Sequence, residues 1–274
     1  MIIKVKKTAL ITLLTLTLVL YILPLYTAIV NAFKNYESII KTPLALPMPP
    51  ILDNFARAFR EAQILSLYGN SIVITLMSLV VIMFLASSMA FVFARSKKKI
   101  YRVLYIVVLS GMMIPVQNIL IPSIKTLQVL KLLGTLPGLI FFYCGTYMSI
   151  AVFLYTEFMR TVPVSLEESA SIDGASPFRI FFQIIFPLLR SCTASVVIFL
   201  GMWIWNDFLP PMYILGASRG RTITTGIYRA IGTYTTDWSL VFACVILASA
   251  PIVILYLFLQ KQFQSGITAG SVKQ

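Results

Sequence analysis

Glu167, Glu168 and Asp173 are three of only nine acidic residues in the chain, and they share one short stretch, EESASIDGASPF, at 167–178. The chemistry that this spacing supports is capping. Ser165-Leu166-Glu167-Glu168 fits the box in which a Ser hydroxyl accepts from the third helical amide while the Glu side chain reaches back. A short helix is expected from about Leu166 to Asp173, with Gly174 in the left-handed position that ends it. Ser176 can then cap a second helix that has Pro177 at its first position. That helix is expected from Phe178 to about Phe186, with Pro187 dividing it from the next apolar run. The stretch reads as a rigid protrusion in which Ala170, Ile172 and Ala175 offer small apolar faces among the acids. The residues alone leave a docking surface and a well-capped solvated loop equally open.

Catalytic chemistry is poorly supplied. The chain has no His, so the commonest general base and metal ligand is missing. Cys144, Cys192 and Cys244 lie in or beside apolar segments without close spacing and read as small buried hydrophobes, not a metal site or disulfide framework. No phosphate-binding G-x-x-x-x-G-K-[ST] loop occurs, so the chain is not expected to bind nucleotide. Nor are paired carboxylates placed on one face. An enzyme is therefore not expected, and neither is a metal or cofactor on this chain.

The elements that must position the acidic stretch are set by composition. Of 274 residues, 59% are hydrophobic and 11% charged, with net charge +13 and mean hydropathy +0.91. Soluble domains carry about 25% charged residues, so this is an integral membrane protein. The cations flank apolar runs, which topology explains better than nucleic-acid binding. Six runs approach the ~20 residues needed to cross a bilayer, at about 9–30, 70–93, 103–124, 136–158, 192–211 and 239–260. Helices are expected, because only they satisfy every backbone group within one segment, and no barrel-like alternation is present. The fifth boundary is blurred by Pro187. The first run comes after a basic start but is too long for a signal peptide and lacks a clear cleavage site, so it reads as an uncleaved span.

Orientation is read from the basic clusters. Lys4, Lys6 and Lys7 precede the first run, and Arg95, Lys97, Lys98, Lys99 and Arg102 crowd the link between the second and third. Both clusters put the two termini in the cytoplasm. The link between the fourth and fifth runs, with Arg160, Arg179 and Arg190, then lies there too. The outer links also carry cations (Lys34, Lys41, Arg57, Arg60, Lys125, Lys131, Arg219, Arg221 and Arg229), so the tight cluster at Arg95–Arg102 decides the orientation.

On these residues the chain resembles a known family. Glu168-Ser169-Ala170, then Asp173-Gly174-Ala175, then Phe178, Ile185 and Pro187, resembles the EAA signature of bacterial importers of the ATP-binding cassette class. Trp205-Asn206-Asp207-Phe208 looks like the W-N-[DE]-F segment of carbohydrate permeases. Thr236-Asp237-Trp238 and the tail from Ser265 to Lys273 are similar to the closing segments of the maltose-type second permease subunit. Two departures stand out: Ser169 replaces the usual Ala, and Ser191 stands where a second proline is common.

The resemblance implies an all-α integral membrane protein with one permease domain over 1–274. Its six transmembrane helices would carry a cytoplasmic EAA coupling loop, about 163–187, between the fourth and fifth. Glu167, Glu168, Ser169, Ala170, Asp173, Gly174, Ala175 and Phe178 would form the ATPase-coupling surface. A second permease subunit would complete a heterodimer, and a dimer of ATPase subunits would bind ATP-Mg and hydrolyse it. An extracytoplasmic solute-binding protein would deliver a sugar, and the whole would sit in the lipid bilayer of the bacterial cell membrane.

Ionisable residues inside spans would mark an ion-driven carrier, but here only Glu157 and Asp207 lie at the edges of runs, which favours an external energy source. Polar and aromatic candidates for a sugar path are Gln117 and Asn118 after Pro115, Tyr143 and Tyr147, and Trp205, Asn206 and Asp207. Each aromatic equally fits an interfacial belt or a packing contact. Importers of a polyol or a glycerophosphodiester, and more remotely an ion-coupled carrier, are the competing readings.

Overall fold

The computed structural model describes residues 2–216, 222–233 and 237–271, and among them every regular element is helical. Thr236, Val272 and Lys273 of the family-like closing segments, and the outer-link cations Arg219 and Arg221, lie outside the described residues. In chain order the helices are α1 (Ile2–Ala32), α2 (Tyr36–Lys41), α3 (Asp53–Arg60), α4 (Ile64–Arg95), α5 (Lys99–Ser110), α6 (Val116–Val129) and α7 (Leu136–Met159). Next come α8 (Ser165–Ile172), α9 (Pro177–Leu188), α10 (Arg190–Asn206), α11 (Leu209–Leu215), α12 (Ile223–Thr233) and α13 (Trp238–Ser271).

Among the described residues, four helices are long and apolar enough to cross a membrane: Leu10–Ala32 within α1, Ile64–Arg95, Leu136–Met159, and Trp238–Phe258 within α13. Two bent pairs raise the number to six if each is one span: Lys99–Met113 with Val116–Val129, at 105°, and Pro177–Leu188 with Arg190–Asn206, at 72°. The run expected at 103–124 is therefore not one continuous helix. A 3-10 turn at Gly111–Met113 ends at Ile114, which is extended at φ −93° and ψ 116°. Proline disfavours helical geometry in the residue before it, and Pro115 is next. The run expected at 192–211 is also interrupted. Asp207 is extended at ψ 142°, so α10 stops at Asn206 and Pro210 and Pro211 belong to α11.

The chain divides into two compact units, Met1–Ser66 with Gly226–Pro251, and Leu67–Thr225 with Ile252–Gln274. In the first unit, polar side chains close the end of α1, whose last carbonyls have no partner within the helix. The Asn54 amide donates to the carbonyls of Ala32 and Lys34 at 2.9 and 2.8 Å. Lys34, an expected outer-link cation, is buried and its Nζ donates to the Thr42 carbonyl at 2.7 Å. Asp237 accepts from Arg57 Nη2 at 2.6 Å and from the Leu240 N–H at 3.2 Å, which caps α13.

The second unit holds a continuous apolar core in which α7 is central, with α5, α10 and α11 packed on it. Leu139, Tyr143, Val152, Tyr155 and Met159 face inward from α7, and Val196, Leu200 and Ile204 face inward from α10. Gly138 permits the tight start of α7, since a Cβ there would lie 2.1 Å from the Leu132 carbonyl oxygen. The Thr135 hydroxyl accepts from the Gly138 N–H at 3.1 Å.

Candidate functional site: the capped elbow and an aromatic face

The acidic stretch forms an elbow of two helices. Helix α8 starts at Ser165, one residue earlier than expected, because Val164 is already helical at φ −65° and ψ −27°. The Ser165 hydroxyl therefore sits inside the helix, and the expected capping box does not form. The other end matches the sequence expectation closely. Gly174 has φ +81°, the Gly174 N–H donates to the Ser171 carbonyl at 3.1 Å and the Ala175 N–H to the Ala170 carbonyl at 2.9 Å. These two bonds are a Schellman closure, which needs the left-handed residue that glycine supplies. The Ser176 hydroxyl then accepts from the Arg179 N–H at 3.3 Å, with Pro177 at the first helical position.

Helix α9 does not stop before Pro187 but continues to Leu188. Pro187 has no N–H to return to the Gln183 carbonyl, and its ring crowds that carbonyl. The preceding turns, Ile180–Ile185, widen into π geometry, a known way for a helix to absorb an irregular residue. Leu189, at ψ 7°, then breaks the chain before α10.

The elbow is held to the second unit from two sides. Phe181 contacts Phe91 at 5.4 Å between ring centroids, and Phe182 stacks on Phe84 at 5.9 Å. Arg95, the last residue of α4, donates to Glu167 Oε1 at 2.7 Å and to the Val162 carbonyl at 2.9 Å. Nothing local in the sequence signals this pair, because the residues are far apart along the chain.

Burial sorts the coupling residues expected from the sequence. Ala170 is buried and Ala175 half-buried, so neither offers the free apolar face expected of it. The inward turn of Ala170 results from α8 lying on the π turn of α9. Glu167 is committed to Arg95. Glu168, Ser169, Asp173 and Gly174 are exposed, and two large apolar side chains project outward, Ile172 at 85% exposure and Phe178 at 72%.

The aromatic residues make a second feature. Tyr143 and Tyr147 of α7 stack at 5.8 Å and 17°, and Tyr147 meets Trp203 of α10 at 5.7 Å. Phe199 extends the row, 6.3 Å from Trp203. Trp203 is exposed, whereas Trp205 is buried and stacked on Tyr68 at 6.3 Å. Of the two tryptophans, the sequence points to the inward one. The Tyr143 hydroxyl is buried beside the Asp207 carboxylate. Asp207 itself accepts from the Phe208 N–H at 2.9 Å, and its carbonyl accepts from the Thr224 hydroxyl at 2.6 Å. Asn206 is exposed and its amide donates back to the Met202 carbonyl at 2.9 Å. Gln117 and Asn118 are exposed in the first turn of α6, and among the described residues no hydrogen bond or ring contact joins them to this row. Tyr143, Tyr147 and Asp207 are thus brought together, with Trp203 added.

Comparison with known proteins agrees with this architecture. The chain is 35% identical over 255 residues, 93% of each chain, to the Probable starch degradation products transport system permease protein AmyC of Thermoanaerobacterium thermosulfurigenes. It is 34% identical, over 95% of each chain, to the Multiple sugar-binding transport system permease protein MsmG of Streptococcus mutans. Its fold superposes with a TM-score of 0.84 on a chain of a bacterial ABC transporter involved in the import of the acidic polysaccharide alginate, at 18% identity, covering 95% of this chain and 97% of that one. Residues 82–269 match the family described as binding-protein-dependent transport system inner membrane component, and this chain belongs to that family.

Proposed function

We propose that the chain is one of two permease subunits of an ATP-driven importer that takes up a sugar, most simply an oligosaccharide, delivered by an extracytoplasmic binding protein. The full-length relatives named for starch products and for multiple sugars support the substrate class. In this reading Lys99–Met113 with Val116–Val129 counts as one span and Arg190–Asn206 carries the fifth, giving six spans with both termini cytoplasmic in a bacterial cell membrane. Residues 10–25 of α1, largely apolar and exposed, face lipid or the second permease.

The observation that carries the coupling role is the outward projection of Ile172 and Phe178 from an elbow closed by Gly174. Large exposed apolar side chains outside the bilayer mark an interaction site. The elbow around Glu168, Ser169, Asp173 and Gly174 seats on an ATPase subunit, which binds ATP-Mg and does the hydrolysis. Glu167, Ala170 and Ala175 hold the elbow's shape from within. The sugar passes along the face of Tyr147, Trp203 and Asn206, with Tyr143 and Asp207 behind it and Gln117 and Asn118 on α6.

The test is ATP-dependent oligosaccharide uptake by the importer reconstituted with both permeases, its ATPase and its binding protein. Ile172→Asp with Phe178→Asp should abolish ATPase co-purification and uptake while the chain still inserts. Uptake driven by an ion gradient without ATP would overturn the reading, and glycerophosphodiester uptake in preference to oligosaccharide would overturn the substrate class.

A further inference from the structure

Lys97, Lys98, Lys99 and Arg102 border a cavity of about 610 Å³ that is backed by Tyr105 and Arg160. The cavity is built from the end of α4, the short link after it, the start of α5 and the end of α7. Its wall is ordered: Arg160 sits 5.3 Å over the Tyr105 ring, and Phe93 contacts that ring at 5.5 Å. The Ser96 hydroxyl accepts from the Lys98 N–H at 3.3 Å, which bends the link around the opening.

The charge in this cavity is not compensated from within the unit. Glu157 is taken up by Arg160 at 2.6 Å and by the Tyr105 hydroxyl at 3.2 Å. Glu167 is taken up by Arg95. Among the described residues, Lys97, Lys98, Lys99 and Arg102 enter no ion pair. Orienting a membrane protein requires cations near the ends of its spans, but it does not require a concave, aromatic-backed site. An apolar track also leaves from the cavity. Val103 and Ile106 are exposed on α5, four and seven residues after Lys99, a spacing that puts them on the helical face of Lys99 and Arg102.

We propose that this cavity binds the phosphate headgroup of an acidic phospholipid, with an acyl chain lying along the stripe of Val103 and Ile106. Basic pockets beside membrane-spanning helices recognise such headgroups. The stripe selects a lipid over a free phosphate, because a soluble anion gains nothing from it. The inference rests on α4 and α5 entering a membrane, not on the coupling role of the elbow or on the sugar.

The test uses the intact purified importer equilibrated in phosphatidylcholine vesicles containing a minor fraction of labelled phosphatidylglycerol, and reads the labelled lipid retained per complex. Lys98→Gln with Arg102→Gln should lower the apparent affinity about 30-fold, since each cation near an anionic lipid is worth a factor of about five. Ser96→Trp puts an indole into the cavity and leaves every charge in place, so it should lower retention without disturbing orientation. Lys7→Gln with Arg190→Gln removes equal charge elsewhere and should change little. Unchanged retention in both cavity variants would overturn the proposal, and so would an equal loss in the control pair. Glycerol phosphate in solution should compete poorly, and competition as strong as that of the lipid would assign the cavity to a soluble anion instead.

Discussion

Arg95 and Glu167 form a 2.7 Å ion pair that ties the last residue of α4 to the first turn of α8, with only 15% and 13% of the two side chains exposed. Each charge also suits its own helix: a cation at the C-terminus of α4 and an anion at the N-terminus of α8. Arg95 further holds the Val162 carbonyl, so it braces the turn that leads into the elbow.

Removing one partner of this pair leaves the other charged and largely dry. Arg95→Met should therefore destabilise the second unit by about 2–3 kcal/mol, below the range for a fully buried pair. The swap Arg95→Glu with Glu167→Arg should recover only part of that, because both charges then oppose their helix ends. Thermal unfolding of the assembled importer reads the stability. ATP hydrolysed per sugar transported reads the coupling and should rise in Arg95→Met. A swap that restores full stability would show that the helix ends contribute nothing.

Gly174 tests the elbow from its other end. No atom lies within 4 Å of a Cβ built there, so a side chain meets backbone strain and not a clash. Gly174→Val at φ +81° should cost about 1–2 kcal/mol and open the Schellman closure, moving Phe178 relative to Ile172. Membrane insertion should be normal while ATP-dependent uptake falls sharply, as it should in Gly174→Asp. Normal uptake with normal ATPase co-purification would remove the elbow from the coupling role.

The parts of this protein that were legible in the sequence are those fixed by neighbouring residues. The helical class comes from long apolar runs, the Gly174 turn from one residue that tolerates positive φ, and the Ser176 cap from the Pro177 after it. Direction was not legible. A hydropathy window averages over Pro115 and sees one run, whereas Ile114 turns the chain through the 105° bend. Pro122 and Pro251 lie inside helices that continue, so proline alone does not announce a break. Facing was equally hidden: Ala170 turns inward because of α9, and the Arg95–Glu167 pair and the row from Tyr147 to Trp203 depend on which helices meet. The two tryptophans of α10 differ only in which side of the helix they occupy.

In the first unit, the Asp237 carboxyl is pulled in two directions. Burial raises its pKa, but the Arg57 hydrogen bond and charge, with the Leu240 N–H, hold it below the usual aspartate value. A depressed pKa gives stability that is present above the unfolded value of about 3.9 and is lost as pH falls through the folded value. Asp237→Asn keeps a cap for α13 and removes the charge. It should lower stability by about 1–2 kcal/mol at neutral pH, and the gap to wild type should shrink as the pH drops below about 4. Melting curves of the assembled importer across that range measure it, and a constant gap would show that the charge of Asp237 is not the source.

Trp203 and Trp205 are two positions apart, so at 100° per residue they point to opposite sides of α10. Their substitutions should separate path from packing. Trp205→Ala empties a buried site stacked on Tyr68 and should cost about 3–5 kcal/mol of stability. Trp203→Ala removes an exposed ring that meets Tyr147 and should leave the melting temperature nearly unchanged. Its effect should fall on uptake, with KM for the oligosaccharide rising by up to about tenfold, the size of one lost aromatic contact. Trp203→Phe should restore most of it, because a ring face is what a sugar needs. If Trp203→Ala transports like wild type, the sugar does not pass along this face, and the row from Tyr143 to Trp203 is packing alone.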